Sequence, residues 1–332
     1  SPLTLVAHLT VTQPGTGAAA GPLPAPPHGP GLSARVPRRP WLHGSLPGYL
    51  FVAPALLYVG ATALYPLASV VTMSFQDVTA GQWRFAGWHQ YGLALGDALV
   101  WNSVRNTAIF TVLSTVLHLA LGLVLALLLN VTWFSRRLRN LVRGALILPW
   151  LFSTAASALM WALLYHPFGL FNYLWVGVLG RPAAIQFLGN PETALFAVIA
   201  VNAWKSYPFY MVSILGGLQG IPLELYDAAK VDGAGAWQRF RFVTVPQLRP
   251  VLVAISTIDV ITSFGHVDLI SMLTRGGPGA STETVAYYVY RTALMDGNLP
   301  YGSAISTLML VILAGFTVGY LRLVTGRHRE AW

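Results

Sequence analysis

The sequence contains no cysteine and very few charged residues, and both shortages narrow the possible functions. Without cysteine, the chain has no disulfide, no thiolate zinc site, no CxxC redox pair and no cysteine nucleophile. Only 9% of its 332 residues are charged, whereas a typical soluble domain has about 25%. With 55% hydrophobic residues, the chain cannot cover a water-facing surface of its size. This excludes a soluble enzyme, a nucleic-acid-binding domain and a disordered scaffold, and indicates a membrane protein.

Six stretches are long enough to cross a bilayer as helices, which takes about 20 mostly apolar residues. Four of them contain no Asp, Glu, Lys or Arg: residues 50–75, 108–129, 144–165 and 299–321. Residues 193–220 are interrupted by Lys205, and residues 251–267 are interrupted by Asp259 and His266. The sequence therefore predicts an all-α polytopic membrane protein with six transmembrane helices.

The distribution of Lys and Arg among the loops predicts the orientation. With both termini in the cytoplasm, 14 basic residues lie on the cytoplasmic side and 5 on the external side, as the positive-inside rule requires. These residues lie in short segments beside the spans, so anionic lipid, and not nucleic acid, is the expected partner of the net charge of +9. We therefore expect a multi-pass protein of the cell membrane (inner or plasma membrane) with both termini cytoplasmic.

The two ends of the chain differ from its middle. Residues 1–46 are rich in Pro, Gly and Ala, a composition that resists both helix formation and a packed core. We expect them to form a disordered cytoplasmic tail. The transmembrane domain is predicted to extend over residues 47–325, and residues 326–332 are predicted to form a short cytoplasmic tail.

The sequence contains no recognisable catalytic or metal-binding motif. In a P-loop, a Lys that directly follows a Gly binds the phosphates jointly with the backbone amides of the loop. Neither of the two lysines, Lys205 and Lys230, follows a glycine. The eight histidines form no HExxH motif and no other metal-ligand cluster. We therefore expect no catalytic residue, metal site or cofactor in this chain, so that any ATP hydrolysis would take place on a separate chain.

Residues 221–246, between the fourth and fifth predicted spans, form the least membrane-like segment after the N-terminal tail. Pro222 is suited to the first turn of a helix, and Gly233 interrupts that helix. A second short helix fits residues 235–242, and Pro246 is expected to end it before the next span. The sequence thus predicts a helix–Gly–helix element on the cytoplasmic side.

This element resembles the cytoplasmic EAA loop of ABC importer permeases. The family pattern is Glu-Ala-Ala, three residues, Gly, nine residues and then Ile-x-Leu-Pro. This sequence has Asp227-Ala228-Ala229, then Gly233, then Val243-Thr244-Val245-Pro246 at the same spacing. It departs from the pattern by Asp in place of Glu and by Val in place of Ile and Leu.

Five further motifs resemble those of the carbohydrate-uptake branch, the permeases related to the maltose and glycerol-3-phosphate importers. In chain order they are Leu64-Tyr65-Pro66, Asn106-Thr107, Leu148-Pro149, Gly169-Leu170-Phe171-Asn172 and Leu273-Thr274-Arg275-Gly276-Gly277-Pro278. Each motif alone is weak evidence, but they occur in order and on the predicted sides of the membrane. The resemblance covers about residues 46–325.

The resemblance implies a type I ABC importer permease fold that forms half of a translocation pathway. The implied partners are a second homologous permease, two ATP-binding subunits that hold ATP and Mg, and an extracytoplasmic sugar-binding protein. The EAA-like loop would seat on an ATP-binding subunit and convey its closure to the spans. The implied ATPase-coupling residues are Glu224, Tyr226, Asp227, Ala228, Ala229 and Gly233.

Ionisable residues inside spans are candidate functional residues, because burying them in a bilayer costs several kcal/mol unless they face a cavity or a partner. Polar and aromatic residues surround them, and such side chains bind sugars through hydrogen bonds and ring stacking. In maltose-type permeases a similar Asn-x-Trp followed by an aromatic-Pro pair contacts sugar. The predicted substrate-pathway residues are Asn202, Trp204, Lys205, Tyr207, Asp259, Thr262, Ser263, Phe264 and His266.

Other interpretations stay open at this stage. One alternative for the loop is an ordinary amphipathic surface helix that joins two spans, and one alternative for Lys205 and Asp259 is a purely structural ion pair. A second functional class is a proton-coupled secondary transporter with Lys205, Asp259 and His266 as its relay. That class is expected to show internal repeats with paired broken helices, and no clear halves are evident. An intramembrane enzyme would need a nucleophile–base or metal constellation that the sequence does not supply.

Overall fold

The computed structural model describes residues 46–79, 81–130 and 135–325 of the chain. The predicted N-terminal tail, residues 1–46, lies outside this part except for Leu46. The predicted C-terminal tail, residues 326–332, also lies outside it. The Cα positions divide the chain into two units, residues 1–56 and 57–332. The described part of the first unit is the beginning of one helix, and every tertiary contact and cavity discussed below belongs to the second unit.

Helices account for most of the described residues, which confirms the predicted all-α class. The helices are α1 (Leu46–Val59), α2 (Tyr65–Met73), α3 (His89–Gly96), α4 (Ala98–Asn130), α5 (Arg136–Leu151), α6 (Thr154–Tyr165), α7 (Leu170–Asn172), α8 (Pro191–Gln219), α9 (Leu223–Val231), α10 (Ala236–Arg239), α11 (Val245–Phe264), α12 (Asp268–Leu273), α13 (Val285–Tyr290) and α14 (Leu299–Thr325). Strands β1 (Gln76–Thr79) and β2 (Gln82–Phe85) form an antiparallel hairpin that the sequence analysis did not anticipate.

Four helical runs in the described residues are long and apolar enough to cross a membrane: Tyr49–Met73, Ala98–Asn130, Ala236–Phe264 and Leu299–Gly319. A fifth span results if α5 and α6 are counted together as one bent segment. The predicted fourth span corresponds to α8, a continuous helix of 29 residues. It falls outside this count of spans because polar residues such as Asn202 and Lys205 interrupt its apolar sequence.

The predicted span over residues 144–165 is bent in the structure. Arg136–Leu151 and the following helical segment Thr154–Val178 meet at an angle of 97°. The break lies at Phe152 and Ser153, which both have extended backbone. The Ser153 hydroxyl accepts a hydrogen bond from the Ala156 amide at 3.2 Å and so caps the new helix. An N-cap inside an apolar run is difficult to recognise, because the flanking residues keep their hydrophobic character.

Two prolines are accommodated by π-helical turns. In the turns Gly60–Leu64 and Phe240–Thr244, the next backbone N–H bonds five residues back instead of four. This change in hydrogen-bond register leaves one backbone carbonyl without an N–H donor. The next residue in the chain is Pro66 or Pro246, which has no backbone N–H to donate. The expectation that Pro246 ends the second short helix is therefore wrong, since α10, the π-helical turn and α11 form one continuous run.

Helices α4 and α8 pack most closely in the described structure. At Gly122 an added Cβ would lie 3.0 Å from the Met211 backbone nitrogen and closer still to the Tyr210 side chain, so only glycine allows this approach. Tyr210, Met211 and Ile214 of α8 are fully buried in the core cluster here, which α11 completes through Leu248. The pair α4–α8 with α11 forms the frame of the candidate site.

Polar side chains of the Asn106-Thr107 motif join the helix ends on the predicted external side. The Asn106 amide donates to the carbonyl oxygens of Ala280 and Glu283 at 3.0 and 3.1 Å. The Thr107 hydroxyl accepts from the Val285 amide at 2.9 Å. These bonds attach the chain after the Gly276-Gly277-Pro278 turn to α4, so two motifs that were noted separately in the sequence are neighbours in space.

Asp97, just before α4, receives two tyrosine hydroxyls. Tyr288 and Tyr301 each donate to its Oδ2 at 2.7 Å. Burial of Asp97 opposes its ionised form, but the donors outweigh burial and lower its pKa, while burial and the same contact raise the pKa of Tyr288 to about 12. Because α4, α13 and α14 meet at this carboxylate, it holds three helices together at the predicted external side.

A candidate substrate cavity and coupling segment

A cavity of about 370 Å³ lies beside the α5–α6 break, between α8 and α11. Its lining mixes polar and aromatic side chains, as expected for binding a polar solute. The polar lining residues are Thr154, Asn202, Lys205, Ser206, Tyr210, Asp259, Thr262 and His266, and the others include Trp150 and Phe209. The structure thus brings together five of the nine predicted substrate-pathway residues, namely Asn202, Lys205, Asp259, Thr262 and His266.

Asp259 of α11 is the most elaborately held residue of the cavity. Its Oδ2 accepts hydrogen bonds from Thr115 Oγ1 at 2.9 Å and from Tyr210 OH at 2.9 Å. It also lies 3.0 Å from His118 Nδ1. Because an ionised carboxylate can only accept, Nδ1 is the donor in this pair. Donors from α4 and α8 therefore converge on one oxygen of a carboxylate that belongs to α11.

The second carboxylate oxygen of Asp259 has no such partners. Oδ1 makes no hydrogen bond to any residue in the described ranges. The Asp259 side chain nevertheless lines the cavity, with the residue 8% exposed. The three donors on Oδ2 fix the carboxylate plane, which leaves Oδ1 as an oriented acceptor for a hydroxyl group of a ligand.

Lys205 is bound to the backbone and not to Asp259. Its Nζ donates to the Phe152 carbonyl oxygen at 3.0 Å, the carbonyl freed from helical bonding by the α5–α6 break. The ion pairs of the described residues include none between Lys205 and Asp259. The postulated structural pair is thus absent here, and both charges face the cavity instead.

The other four predicted pathway residues lie outside the cavity lining. Trp204 stacks on Phe152 with ring centroids 6.3 Å apart. Tyr207 is buried, and Ser263 is buried with its hydroxyl lacking a hydrogen-bond partner in the described part of the chain. Phe264 lines a separate apolar pocket with residues of α4 and α14. Any contribution of these four to a substrate pathway stays a prediction.

His118 is a functional candidate that the sequence analysis missed. The predicted span 108–129 contains no Asp, Glu, Lys or Arg, but it does contain one histidine, His118. His118 is fully buried in that stretch, and its Nε2 has no hydrogen-bond partner among the described residues. A histidine within a predicted span is the signal that would have found it.

His266 completes the polar wall of the cavity from the end of α11. Its ring meets the Phe110 ring edge-on with centroids 6.0 Å apart, so part of the imidazole packs against apolar surface. No hydrogen bond joins Lys205, Asp259 and His266 to one another in the described structure. The three residues share a cavity but do not form a continuous relay.

The predicted coupling segment forms two short helices, α9 and α10, separated by a turn. Glu224 lies in the first turn of α9, and Asp227 pairs with Lys230 at 2.7 Å on the exposed surface. Tyr226 OH and Thr244 Oγ1 lie 3.0 Å apart. That bond ties α9 to the π-helical turn that leads into α11, so a displacement of α9 acts directly on the cavity-lining helix.

Glycine 233 is required by the turn itself. Its φ of +78° is in the left-handed region, and its amide donates to the Lys230 carbonyl at 3.0 Å. Ala228 is exposed and Ala229 half-buried, so neither projects a large side chain. Five large apolar residues of the segment are solvent-exposed in this chain: Leu223, Leu225, Val231, Trp237 and Phe242. An apolar surface at this position is typical of a protein–protein contact.

The spans and the polar cavity define a membrane-embedded transport component. The sequence profile described as "Binding-protein-dependent transport system inner membrane component" matches residues 118–327. The chain belongs to this family, and it is a permease subunit of an ABC importer. The predicted family is thereby confirmed, whereas the alternative of a proton-coupled secondary transporter receives no support.

Several characterised permeases are similar over most of their length. The chain is 36% identical to the trehalose/maltose transport system permease protein MalF of Thermococcus litoralis, with 85% of this chain and 94% of the relative covered. It is 34% identical to the sulfoquinovosyl glycerol transport system permease protein SmoG of Agrobacterium fabrum, covering 83% and 89%. The arabinooligosaccharides transport system permease protein AraP of Bacillus subtilis is 30% identical, covering 80% and 84%.

A solved structure supports the fold. The chain matches a subunit of a bacterial ABC transporter involved in the import of the acidic polysaccharide alginate, with a TM-score of 0.71 and 20% identity. The match covers 84% of this chain and 95% of the other. The predicted ABC importer permease fold is therefore confirmed.

Proposed function

We propose that this permease imports a sugar or sugar derivative and forms half of the translocation pathway. The observation that supports this most directly is the continuity of one helical run. Helix α10 passes without a break into α11, the Tyr226–Thr244 hydrogen bond ties α9 to the same run, and α11 positions Asp259 in the cavity wall. A force applied to the coupling segment therefore acts on the group that is best placed to bind a ligand.

The substrate class follows from the cavity and from the relatives. The lining offers carboxylate, ammonium, amide and hydroxyl groups beside Trp150 and Phe209, which together can bind hydroxyl groups and stack on a sugar ring. The relatives are named for trehalose and maltose, sulfoquinovosyl glycerol and arabinooligosaccharides. In this proposal Asp259 Oδ1 accepts from a sugar hydroxyl, and Lys205 and Asn202 donate to sugar oxygens.

The remaining partners are proposed on the same basis. A second homologous permease would complete the pathway, two ATP-binding subunits would hydrolyse ATP with Mg, and an extracytoplasmic sugar-binding protein would deliver the substrate. This chain itself would bind no cofactor. The excess of basic residues on one side supports a cytoplasmic position for both termini, and with them for α9 and α10. Glu224, Tyr226, Asp227, Ala228, Ala229 and Gly233 would then face an ATP-binding subunit.

The coupling role is tested by a pair of matched glycine substitutions. Gly233 and Gly297 have φ of +78° and +75°, and an added Cβ would meet no atom within 4 Å at either position. Valine therefore imposes the same backbone strain at both, about 1–2 kcal/mol, but only Gly233 lies in the coupling segment. We expect Gly233→Val to abolish sugar uptake and to prevent co-purification of the ATP-binding subunit, while Gly297→Val retains both.

The measurement is uptake of radiolabelled maltose, trehalose and arabinooligosaccharides by the native host lacking the wild-type chain, together with pull-down of the tagged permease. Equal amounts of each variant in the membrane establish that insertion is intact. Normal uptake by Gly233→Val, or an equal loss with Gly297→Val, would contradict the proposed coupling role.

A further inference from the structure

A second cavity, of about 510 Å³, lies where α4 and α8 end and α5 begins. Its lining is polar except for Leu129: Asn130 from α4, Gln219 from α8, and Arg136, Arg139, Asn140 and Arg143 from α5. The substrate cavity shares none of these residues. The site therefore has a separate role, and its three arginines indicate what it binds.

The arginines form one stripe on α5. Arg136, Arg139 and Arg143 are spaced by three and four residues, which places them on the same helix face, while Arg137 lies outside the cavity lining. Arg136 and Arg139 lie in the first turns of the helix, where the positive end of the helix dipole disfavours cations. The Ser135 hydroxyl already caps this helix end. The stripe thus does not serve to stabilise α5.

No acidic residue of the described chain neutralises this stripe. The ion pairs of the described residues are His118–Asp259, Lys230–Asp227 and Arg291–Glu283. The Nε of Arg143 is enclosed and has no hydrogen-bond partner in the described structure. Three planar donors without a counter-ion match a ligand with several negatively charged oxygens, because guanidinium groups bind phosphate in a bidentate manner.

The position of the cavity along the spans identifies the source of the phosphate. The span Ala98–Asn130 ends at the cavity wall, so the arginines lie at the depth of the lipid headgroups. Basic pockets between helices on the cytoplasmic side are typical sites for phospholipid headgroups. We propose that Arg136, Arg139 and Arg143 bind the phosphate headgroup of an anionic phospholipid of the cytoplasmic leaflet. The bound lipid would join α5 to the end of α8, immediately before the coupling segment.

The test compares two triple variants that remove the same charge. Arg136→Gln/Arg139→Gln/Arg143→Gln empties the cavity of cations, whereas Arg137→Gln/Arg241→Gln/Arg322→Gln removes three exposed arginines elsewhere on the same predicted side. The full chain, purified in detergent, is titrated with phosphatidylglycerol or phosphatidylcholine, and bound lipid is counted by native mass spectrometry. Each basic residue near an anionic headgroup contributes about fivefold, so three contribute on the order of 100-fold.

We expect the unaltered chain to retain phosphatidylglycerol in preference to phosphatidylcholine, the cavity variant to lose this preference, and the control variant to change it less than about tenfold. Arg139→Gln alone, with a smaller risk to folding, should lose about fivefold. Equal losses in both triple variants would overturn the proposal, because they indicate general surface attraction. Displacement of the lipid by millimolar inorganic phosphate would assign the cavity to a soluble phosphate instead. Unchanged lipid binding with loss of the ATP-binding subunit would assign it to a protein contact.

Discussion

Removing one hydroxyl from the Asp259 network tests whether that network orients the carboxylate proposed to bind substrate. In Tyr210→Phe the ring stays in its fully buried position, and the hydroxyl that donates to Asp259 Oδ2 at 2.9 Å is lost. A hydrogen bond to a charged group contributes about 1.5–3 kcal/mol. We therefore expect the free energy of unfolding to fall by about that amount, and the KM for sugar uptake to rise by roughly 10- to 100-fold if binding depends on the same orientation.

The decisive comparison is a double-mutant cycle with Asp259→Asn. Asparagine keeps the size of the side chain but removes the charge and one acceptor. The hydrogen bond from the Tyr210 hydroxyl to residue 259 is therefore weaker in this variant. Tyr210→Phe should then have a much smaller effect in the Asp259→Asn background than in the unaltered chain. The unfolding measurement uses tryptophan fluorescence in mixed micelles with rising dodecyl sulfate, and uptake is measured in the host cells.

A third variant separates orientation from packing. Thr115→Val preserves the shape of the half-buried threonine and removes another donor to the same oxygen. It should reproduce the rise in KM without creating a cavity. Additive losses in the Tyr210 and Asp259 cycle, together with an unchanged KM in Thr115→Val, would refute the idea that the network positions Asp259.

Two further predictions concern the frame of the site. Gly122→Ala should destabilise the chain by about 1–3 kcal/mol, because the methyl group meets the α8 backbone. Gly216→Ala, where a Cβ meets nothing within 4 Å, is the matched control, and similar unfolding midpoints for the two would contradict the close α4–α8 packing. Asp97 has a lowered pKa, so its contribution to stability is present above the ordinary aspartate pKa and is lost as the pH falls through the lowered value. The unaltered chain should thus lose thermal stability below about pH 4. Asp97→Asn should be less stable at neutral pH and should lack that acid-dependent loss. If the variant retains the loss, another carboxylate is responsible for it.

Local sequence spacing predicted the coupling segment well. Gly233 was expected to break the helix, and α9 ends at Val231 with Gly233 in a left-handed conformation. Such a break depends on one residue and its neighbours, so it can be read without knowledge of the tertiary structure. The expectation that Pro246 ends a helix was wrong for the opposite reason. The π-helical turn just before it removes the need for a backbone N–H at Pro246, so the helix continues. No sequence pattern signals where such a turn will form.

The sequence predicted which residues line the candidate cavity in part, but it did not predict which partners those residues contact. Lys205, Asp259 and His266 were identified because charged groups are costly inside spans, and they do share a cavity. Their partners depend on how distant segments pack. Lys205 bonds to Phe152 only because the chain breaks there, and His118 of α4 and Tyr210 of α8 can share the Asp259 carboxylate because Gly122 lets α4 approach α8. These are tertiary events, and a single sequence contains no direct record of them.

The Asp259 network also determines which helices can move independently during transport. Its three donors belong to α4 and α8, and Asp259 belongs to α11. Sliding α11 past the other two helices would break three charge-assisted bonds, at about 1.5–3 kcal/mol each, whereas moving the three together breaks none. We therefore expect α4, α8 and α11 to move as one body. Because the chain has no native cysteine, spin labels on Leu117→Cys of α4 and Ile261→Cys of α11, both exposed, can report their separation by pulsed EPR. The distance should be the same with and without ATP in the assembled importer, and a shift of several ångströms would mean that transport breaks the network.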